Sequence, residues 1–410
     1  MTISVDQLVQ QIHDAPMRIV LAATGGGSRA IADLLEVPGA SRTLLEAFVP
    51  YSDRAMIDYL GSRPDKFCSQ RTARAMAMAA FLHARKLEQP ITELGATAGL
   101  PSSVYGTVGQ ANRGTRQQTD LESIGGVADV AGVSCNAGLR TDRPRRGSHR
   151  IHVALQTAAL SATWSLELIK DRRSRPEEER MAGRMLLNAV AESCGIAARL
   201  SLDLLEGEKV EESRTQAVQS WQDLLLGKVE VVTQGKTVPA KPAILSGAFN
   251  PLHAGHRRIA EVGGDLLKKP VAMEISILNP DKPPLDYYEI DRLTKQFPAD
   301  QTLFLTRAAT FEEKARLFPK ATFLVGADTL RRIAMDRYYH DNPVACRACL
   351  EYIAARGCRF LVFGRNMGTG FMQLADLDLP EVLRAICSDV PPEIFREDIS
   401  STGIRKLGTW

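Results

Sequence analysis

The hydrophobic pattern changes period several times along the chain, and each change marks an element. Arg18 to Ala23 holds an unbroken apolar run, Ile19-Val-Leu-Ala-Ala23, which marks a candidate strand. Thr24-Gly-Gly-Gly-Ser28 interrupts it, and a helical pattern follows through Leu35. Leu, Met and Ala recur at helical spacing over residues 69–86 and 177–193, which predicts two amphipathic helices. His149 to Leu155 alternates apolar and polar positions like a half-buried strand. Residues 95–129 are rich in Gly, Ser, Thr and Gln with no sustained period, so a long surface loop or flap is expected there.

A charged connector, Glu206 to Ser213, precedes a short helix predicted around Trp221 to Leu226, whose apolar side chains would pack it onto a domain. Val229 to Val238 reads as a small hairpin turning at Gln234-Gly235. Pro239 to Pro242 then punctuates the chain, and a new strand opens at Ala243. The expected organisation is an α/β unit over 1–205, a linker over 206–240 and a second α/β unit over 241–410, with no internal repeat. The second should be a Rossmann-like parallel sheet that takes ligands at the carboxyl ends of its strands.

Composition narrows the class. In 410 residues, 44% are hydrophobic and 24% charged, the balance of a folded enzyme rather than a disordered chain. The net charge of +3 supplies no single-sign field of the kind a nucleic-acid partner needs. No apolar run is long enough to span a bilayer and the start of the chain lacks a signal-peptide pattern, so no membrane partner is expected. Seven dispersed cysteines suit reduced thiols and a cytoplasmic location. His13 and His83 read as ordinary surface positions.

The strongest chemical signal is Ala243-Ile-Leu-Ser-Gly-Ala-Phe-Asn-Pro-Leu-His-Ala-Gly-His256. A strand runs into Gly247, a turn carries Phe249 and Asn250, and a helix begins near Leu252. His253 and His256, three residues apart, share one face of its first turn. The unpaired N–H groups and dipole of a helix start point the same way, and Gly247 and Gly255 allow close approach, so the turn suits a nucleoside triphosphate. A zinc site would need histidines four apart with an acid between them, or a further nearby ligand, and neither is present; no protein-bound metal is expected. His340, Cys346, Cys349 and Cys358 lie near one another in sequence, with buried or surface thiols favoured over structural zinc. Near the end of the chain, Ile399-Ser-Ser-Thr-Gly-Ile-Arg405 offers hydroxyls and a guanidinium one helical turn apart, a second oxyanion cradle.

Taken together, the two motifs resemble those of the nucleotidyltransferase superfamily, specifically the nicotinamide or nicotinate mononucleotide adenylyltransferases, over residues 243–408. The resemblance implies AMP transfer from ATP to a pyridine mononucleotide, with magnesium accompanying ATP and pyrophosphate leaving. It implies catalytic roles for His253, His256 and Arg405, and nucleotide contacts from Gly247, Phe249, Asn250, Ser400, Ser401 and Thr402. Phe323-Leu-Val-Gly-Ala-Asp-Thr-Leu330 is similar to the family's strand ending in Gly-x-Asp, which puts Gly326 and Asp328 at a ribose; Asp328 also suits an N-cap for a helix over 329–335. Lys282 sits where the family places a basic residue after its second strand, and Thr306-Arg307 and Thr310-Phe311 resemble its substrate-side segment. Pantetheine-phosphate adenylyltransferases usually have Thr at the position of His253, and glycerol-phosphate-type cytidylyltransferases close with a different motif. Transfer to another phosphorylated substrate remains the alternative.

Residues 17–200 resemble the carboxy-terminal domain of CinA proteins, which deamidates nicotinamide mononucleotide in bacteria. The match runs through Thr24-Gly-Gly-Gly27, Val37-Pro-Gly-Ala-Ser-Arg42, Val49-Pro-Tyr-Ser-Asp53 and Gly132-Val-Ser-Cys-Asn-Ala-Gly138. It implies a candidate site of Thr24, Gly25, Gly26, Ser41, Tyr51 and Asn136, and association into a homo-oligomer. Met56 stands where the family has its Lys, and Asn136 where it has a Thr. A thioether cannot take a proton from a Ser hydroxyl, and Arg54 stays charged. Three readings stay open: a degenerate mononucleotide-binding module, favoured slightly; an amidohydrolase with another base; or different chemistry on a related ligand. Arg140, Arg143, Arg145, Arg146 and Arg150 form either a solvated basic loop or a phosphate clamp.

Overall fold

A computed structural model describes residues 3–89, 129–143, 147–236, 240–279, 282–339, 341–366 and 370–396. The chain forms two compact units: Met1–Val218 with Asp281–Tyr288, and Gln219–Pro280 with Glu289–Trp410.

The first unit contains α1 (Val5–Asp14), β1 (Arg18–Thr24), α2 (Ser28–Glu36), β2 (Leu44–Phe48), α3 (Asp53–Leu60), α4 (Gln70–Leu87), β3 (Val130–Gly138), β4 (His149–Gln156), β5 (Leu160–Leu168), α5 (Arg175–Ser193) and β6 (Val210–Gln216). Its mixed sheet has the order β2-β1-β3-β4-β5-β6, parallel where β1 meets β2 and β3 and antiparallel from β3 onward. The apolar run of β1 is buried on both faces because side chains alternate. Ile19, Leu21 and Ala23 pack with α1, α2 and α5, while Ala22 joins Met56, Leu60 and Met76. Helix α4 lies so close to β3 that a Cβ on Gly132 would sit 2.1 Å from the Ala77 carbonyl oxygen, so only glycine fits there.

Eight later residues, Asp281–Tyr288, belong to this unit. The Arg74 Nε donates to the Asp286 carboxylate at 2.8 Å, with both side chains under a tenth exposed. Tyr287 N–H donates to Ser161 Oγ at 3.0 Å, and its fully buried ring puts the hydroxyl on the Ala158 carbonyl. No local pattern announces this excursion. His13 also departs from the surface position expected of it: it is 1% exposed, with its ring nitrogens on Thr43 Oγ1 and the Leu34 carbonyl, both at 3.0 Å. His83 is half-buried on Glu46 at 2.8 Å.

The second unit contains α6 (Gln219–Leu226), β7 (Val231–Gln234), β8 (Ala243–Ser246), α7 (Ala254–Leu267), β9 (Val271–Ser276), α8 (Tyr287–Thr294, from Glu289 onward), β10 (Leu303–Thr306), α9 (Phe311–Leu317), β11 (Thr322–Gly326), α10 (Ala327–Ile333), α11 (Pro343–Ala355), β12 (Arg359–Phe363), a ribbon of β13 (Arg365–Asn366) and β14 (Phe371–Met372), α12 (Glu381–Arg384) and β15 (Cys387–Val390). Its sheet runs β15-β12-β11-β8-β9-β10-β7. All neighbours are parallel except β7, which pairs antiparallel with β10. The six parallel strands thus follow the doubly wound order, with the direction of winding reversing between β8 and β11.

The stretch read as a linker is divided between the two sheets: β6 closes the first, while α6 and β7 belong to the second. Of the hairpin expected to turn at Gln234-Gly235, the first arm is a strand paired with β10, Val231 opposite Thr306 and Gln234 opposite Leu303, and residues 237–238 of the second arm lie outside the described residues. Trp221, Leu224 and Leu225 are buried, as their apolar character demands. Of the 95–129 segment all but Asp129 lies outside the described residues, as do Arg145, Arg146 and His340.

Candidate functional site

In a doubly wound sheet, ligands bind beyond the carboxyl ends of the strands where the winding reverses. Here those ends belong to β8, which leads into Gly247 to His256, and β11, which leads into Gly326-Ala-Asp328. The two segments singled out in the sequence therefore flank one crevice.

The β8–α7 turn is held from several sides. Gly247 N–H donates to the Glu274 carbonyl of β9 at 3.0 Å. Phe249 has a φ of 41°, a left-handed conformation unfavourable for a bulky side chain. Its ring is 1% exposed and meets His256 and Phe297 edge-on, at 4.9 and 5.4 Å between centroids. Gln296 braces the backbone by donating to the Phe249 carbonyl at 3.0 Å and accepting Leu252 N–H at 2.8 Å. Arg292 donates to Asn250 Oδ1 at 2.9 Å. Gln296 and Arg292 escaped the sequence reading because they lie more than forty positions along the chain from the turn they hold.

Helix α7 starts as expected. His253 is its N-cap, and the His253 and His256 rings stack with centroids 3.8 Å apart. His253 N–H donates to His256 Nδ1 at 3.3 Å, which leaves the proton of a neutral His256 on Nε2. Burial, then His253, then Arg365 push the His256 pKa down to about 3. Burial and Arg365 lower that of His253. Both rings are neutral near pH 7. His253 Nδ1 and Ser246 Oγ are buried with no hydrogen-bond partner among the described residues.

The β11 side contributes a pair that the sequence did not reveal. Arg365 Nη1 donates to Asp328 Oδ1 at 3.2 Å, 37 positions apart. The same guanidinium lowers the pKa of both histidines, so the imidazole pair, Arg365 and Asp328 share one electrostatic neighbourhood. Asp328 is not the N-cap; that position is Gly326, and the helix runs Ala327–Ile333. Placed in the first turn, its carboxylate is free to meet Arg365 while still favouring the helix start.

Lys282 is exposed and falls in the excursion that belongs to the first unit. Thr306 Oγ1 donates to buried Glu274 at 2.6 Å, Thr310 caps α9 and Phe311 packs on Phe323 and Phe360. Ser400, Ser401, Thr402 and Arg405 lie outside the described residues. Among the described residues no cluster of three or more His, Cys, Asp or Glu could hold a metal, and no helix is long and apolar enough to cross a membrane.

In the first unit, the parallel register sets Thr24 beside Asn136. Thr24 Oγ1 donates to the Pro50 carbonyl at 3.0 Å, and Asn136 Nδ2 to the Phe67 carbonyl at 2.7 Å. Ser41 sits in an exposed 3₁₀ turn and Tyr51 is 71% exposed; no hydrogen bond among the described residues joins either to Asn136. Met56 is 3% exposed within an apolar cluster. Gly25 and Gly26 form the turn before α2. Within the basic stretch, Arg140 donates to the Arg173 carbonyl, and its N–H to buried Glu178.

The depressed His256 pKa gives a pH dependence with a definite sign. The unfolded chain takes up a proton near 6.5 that the folded site refuses until about 3. Stability from this group is therefore full above 6.5 and is lost as pH falls toward 3, by at most about 1.4 kcal/mol per pH unit. Urea unfolding of native protein and of a His256→Asn variant should show the shallower acid loss in the variant. Equal slopes would mean that His256 is not buried as a neutral ring.

Residues 244–407 match the cytidylyltransferase-like family model, and the chain carries such a domain of the nucleotidyltransferase superfamily. No curated protein matches the chain. Among solved structures, it is similar to the competence/damage inducible protein CihA from Agrobacterium tumefaciens, with 16% identity and a TM-score of 0.31, covering 47% of this chain and 98% of that one. It is also similar to CinA superfamily proteins from Escherichia coli (13% identity, TM-score 0.30, covering 46% and 90%) and Enterobacter cloacae (15%, 0.28, 48% and 90%).

Proposed function

We propose that the second unit transfers AMP from ATP to nicotinamide or nicotinate mononucleotide, giving NAD or its acid precursor and pyrophosphate. The observation that carries this is the stacked imidazole pair at the start of α7, opposite the Arg365–Asp328 pair across the point where the sheet reverses its winding. An oxygen of the mononucleotide phosphate attacks the α-phosphorus of ATP, a new P–O bond forms, and the bond to the pyrophosphate oxygen breaks. The nucleophile is already an anion, so the protein need not supply one. It must position two anions in line and neutralise the charge that accumulates between them.

His256 does this as a neutral donor. With Nδ1 accepting the His253 N–H, the Nε2–H is directed to an α-phosphoryl oxygen, and the stacked His253 holds a neighbouring one. As negative charge builds, a ring whose proton affinity was suppressed by burial takes up a proton more readily, so the interaction strengthens along the reaction. Ser400, Ser401, Thr402 and Arg405 hold the β- and γ-phosphates. Magnesium enters with ATP as part of the substrate and neutralises the phosphate chain. Asp328 meets a ribose hydroxyl.

Arg365 is the cation the sequence reading missed. Its loss removes one charge-assisted contact and frees the Asp328 carboxylate beside an anionic substrate. Arg365→Ala should raise the KM for ATP about tenfold and Arg365→Lys less, measured by initial rates of pyrophosphate release. An unchanged KM would place Arg365 outside the ATP site.

We infer that the first unit is a mononucleotide-binding module without hydrolytic activity, because the position of the related enzymes' base is a methionine packed with Ala22, Leu60 and Met76. The test of both halves is one incubation. Full-length protein with ATP, magnesium and each mononucleotide should release pyrophosphate and form the dinucleotide, with no ammonia from nicotinamide mononucleotide. Pyrophosphate release only with some other phosphorylated acceptor would overturn the substrate assignment, and ammonia release would make the chain bifunctional.

A further inference from the structure

The turn Thr24-Gly-Gly-Gly-Ser28 has the form of an anion cradle. Gly25 and Gly27 have φ of 72° and 89°, and a Cβ on Gly25 would lie 1.9 Å from the Ala137 carbonyl oxygen, so the backbone must be bare there. Helix α2 begins immediately after, and its N-cap, Gly27, has no side chain to satisfy the first N–H groups. Such a start attracts an oxyanion from outside when nothing inside the protein supplies one.

Here something inside does. Glu179, on α5, places Oε1 3.0 Å from Ser28 Oγ and 3.2 Å from Arg29 N, accepting from both. Its other oxygen is buried without a hydrogen-bond partner among the described residues and lies 3.7 Å from Arg175 Nη2, a looser ion pair one turn back on α5. Arg175 in turn donates to the Gly25 carbonyl at 3.0 Å, tying the same helix to the glycine turn. The carboxylate can reach because α5 comes close to α2: a Cβ on Gly183 would stand 3.3 Å from the Arg29 Cβ. Only a fifth of the Glu179 side chain is exposed.

We propose that Glu179 is a built-in anion that closes this cradle, so that the first unit takes no phosphate group at its glycine turn unless the carboxylate is displaced. A free phosphate would have to replace two good acceptor contacts and approach a full negative charge at close range. The proposal is independent of adenylyl transfer in the second unit, and it bears on the binding inferred for the first: a mononucleotide held there must place its phosphate away from Thr24–Ser28 or displace Glu179.

The experiment is calorimetric titration of inorganic phosphate into the full chain and its variants. Binding in the second unit is common to all of them, so the difference between variants reports on the cradle. Glu179→Ala should gain a phosphate site that native protein lacks, at least about tenfold tighter than any residual binding there. Adding Ser28→Ala should weaken that new site several-fold. Glu179→Gln, which keeps the side-chain shape and removes the charge, should show a smaller gain and serves if the alanine variant does not fold. An isotherm for folded Glu179→Gln or Glu179→Ala that superimposes on the native one would overturn the proposal. So would a Ser28→Ala change in otherwise native protein that weakens phosphate binding, since the hydroxyl would then already hold the ligand.

Discussion

Replacing His256 by alanine should lower the turnover of AMP transfer by about a hundredfold or more while the protein stays folded. The size follows from its expected role: a donor fixed in advance, aimed at an oxygen that gains charge only in the transition state. Preorganisation is visible in the free protein, where the ring is stacked on His253, set edge-on against Phe249 and oriented by the backbone N–H at its Nδ1. Because the contact tightens as charge builds, kcat should fall more than KM rises. His256→Asn, which retains an N–H donor on a shorter arm, should recover part of the loss. Steady-state kinetics with a melting curve for each variant checks this. A folded His256→Ala protein with near-native turnover would remove the residue from the mechanism.

The largest stability effect belongs to a buried ion pair that is not itself a proposed ligand contact. Lys314 Nζ donates to both Glu274 oxygens at 2.7 Å and to the Ala308 carbonyl at 3.0 Å, and Thr306 Oγ1 also donates to Glu274. The lysine side chain is 7% exposed and the glutamate 1%. Lys314→Met leaves a buried carboxylate with only a hydroxyl, and should cost about 3–5 kcal/mol of unfolding free energy. Lys314→Met with Glu274→Met should recover most of that loss, because the pair's removal also removes its desolvation penalty. Denaturant unfolding of both variants measures it. Equal losses in the single and double variants would show that packing rather than charge pairing is at stake. The single variant should also impair activity, since the Glu274 carbonyl accepts the Gly247 N–H that begins the turn proposed to hold the phosphates.

What the sequence made legible was local. The β1, α4 and α5 patterns and the His-x-x-His start of α7 each follow from short-range periodicity or from spacing on one helical turn, and the structure places them within a few residues of expectation. What it hid depends on partners far along the chain. Arg365 acquires its meaning only when β11 and β12 lie side by side, bringing Asp328 within reach. Gln296 looks like a surface amide until it is found bracing Phe249 and Leu252. Asp281–Tyr288 carries no local pattern that assigns it to either unit, yet its Asp286 and Tyr287 are buried among residues of the first unit. The partner of Val231–Gln234 was equally hidden, since β10 lies some 70 positions further along the chain. In the first unit, Gly25–Gly27 was legible as a break between strand and helix, but the carboxylate that meets the helix start comes from Glu179, some 150 positions away.

The most direct test of adenylyl transfer is a crystal structure with magnesium and a non-hydrolysable ATP analogue. The α-phosphate should lie against His256 and His253, with Ser401, Thr402 and Arg405 closing on the β- and γ-phosphates from the other side. A triphosphate bound without either imidazole, or with the terminal hydroxyl and guanidinium groups turned away from it, would contradict the mechanism.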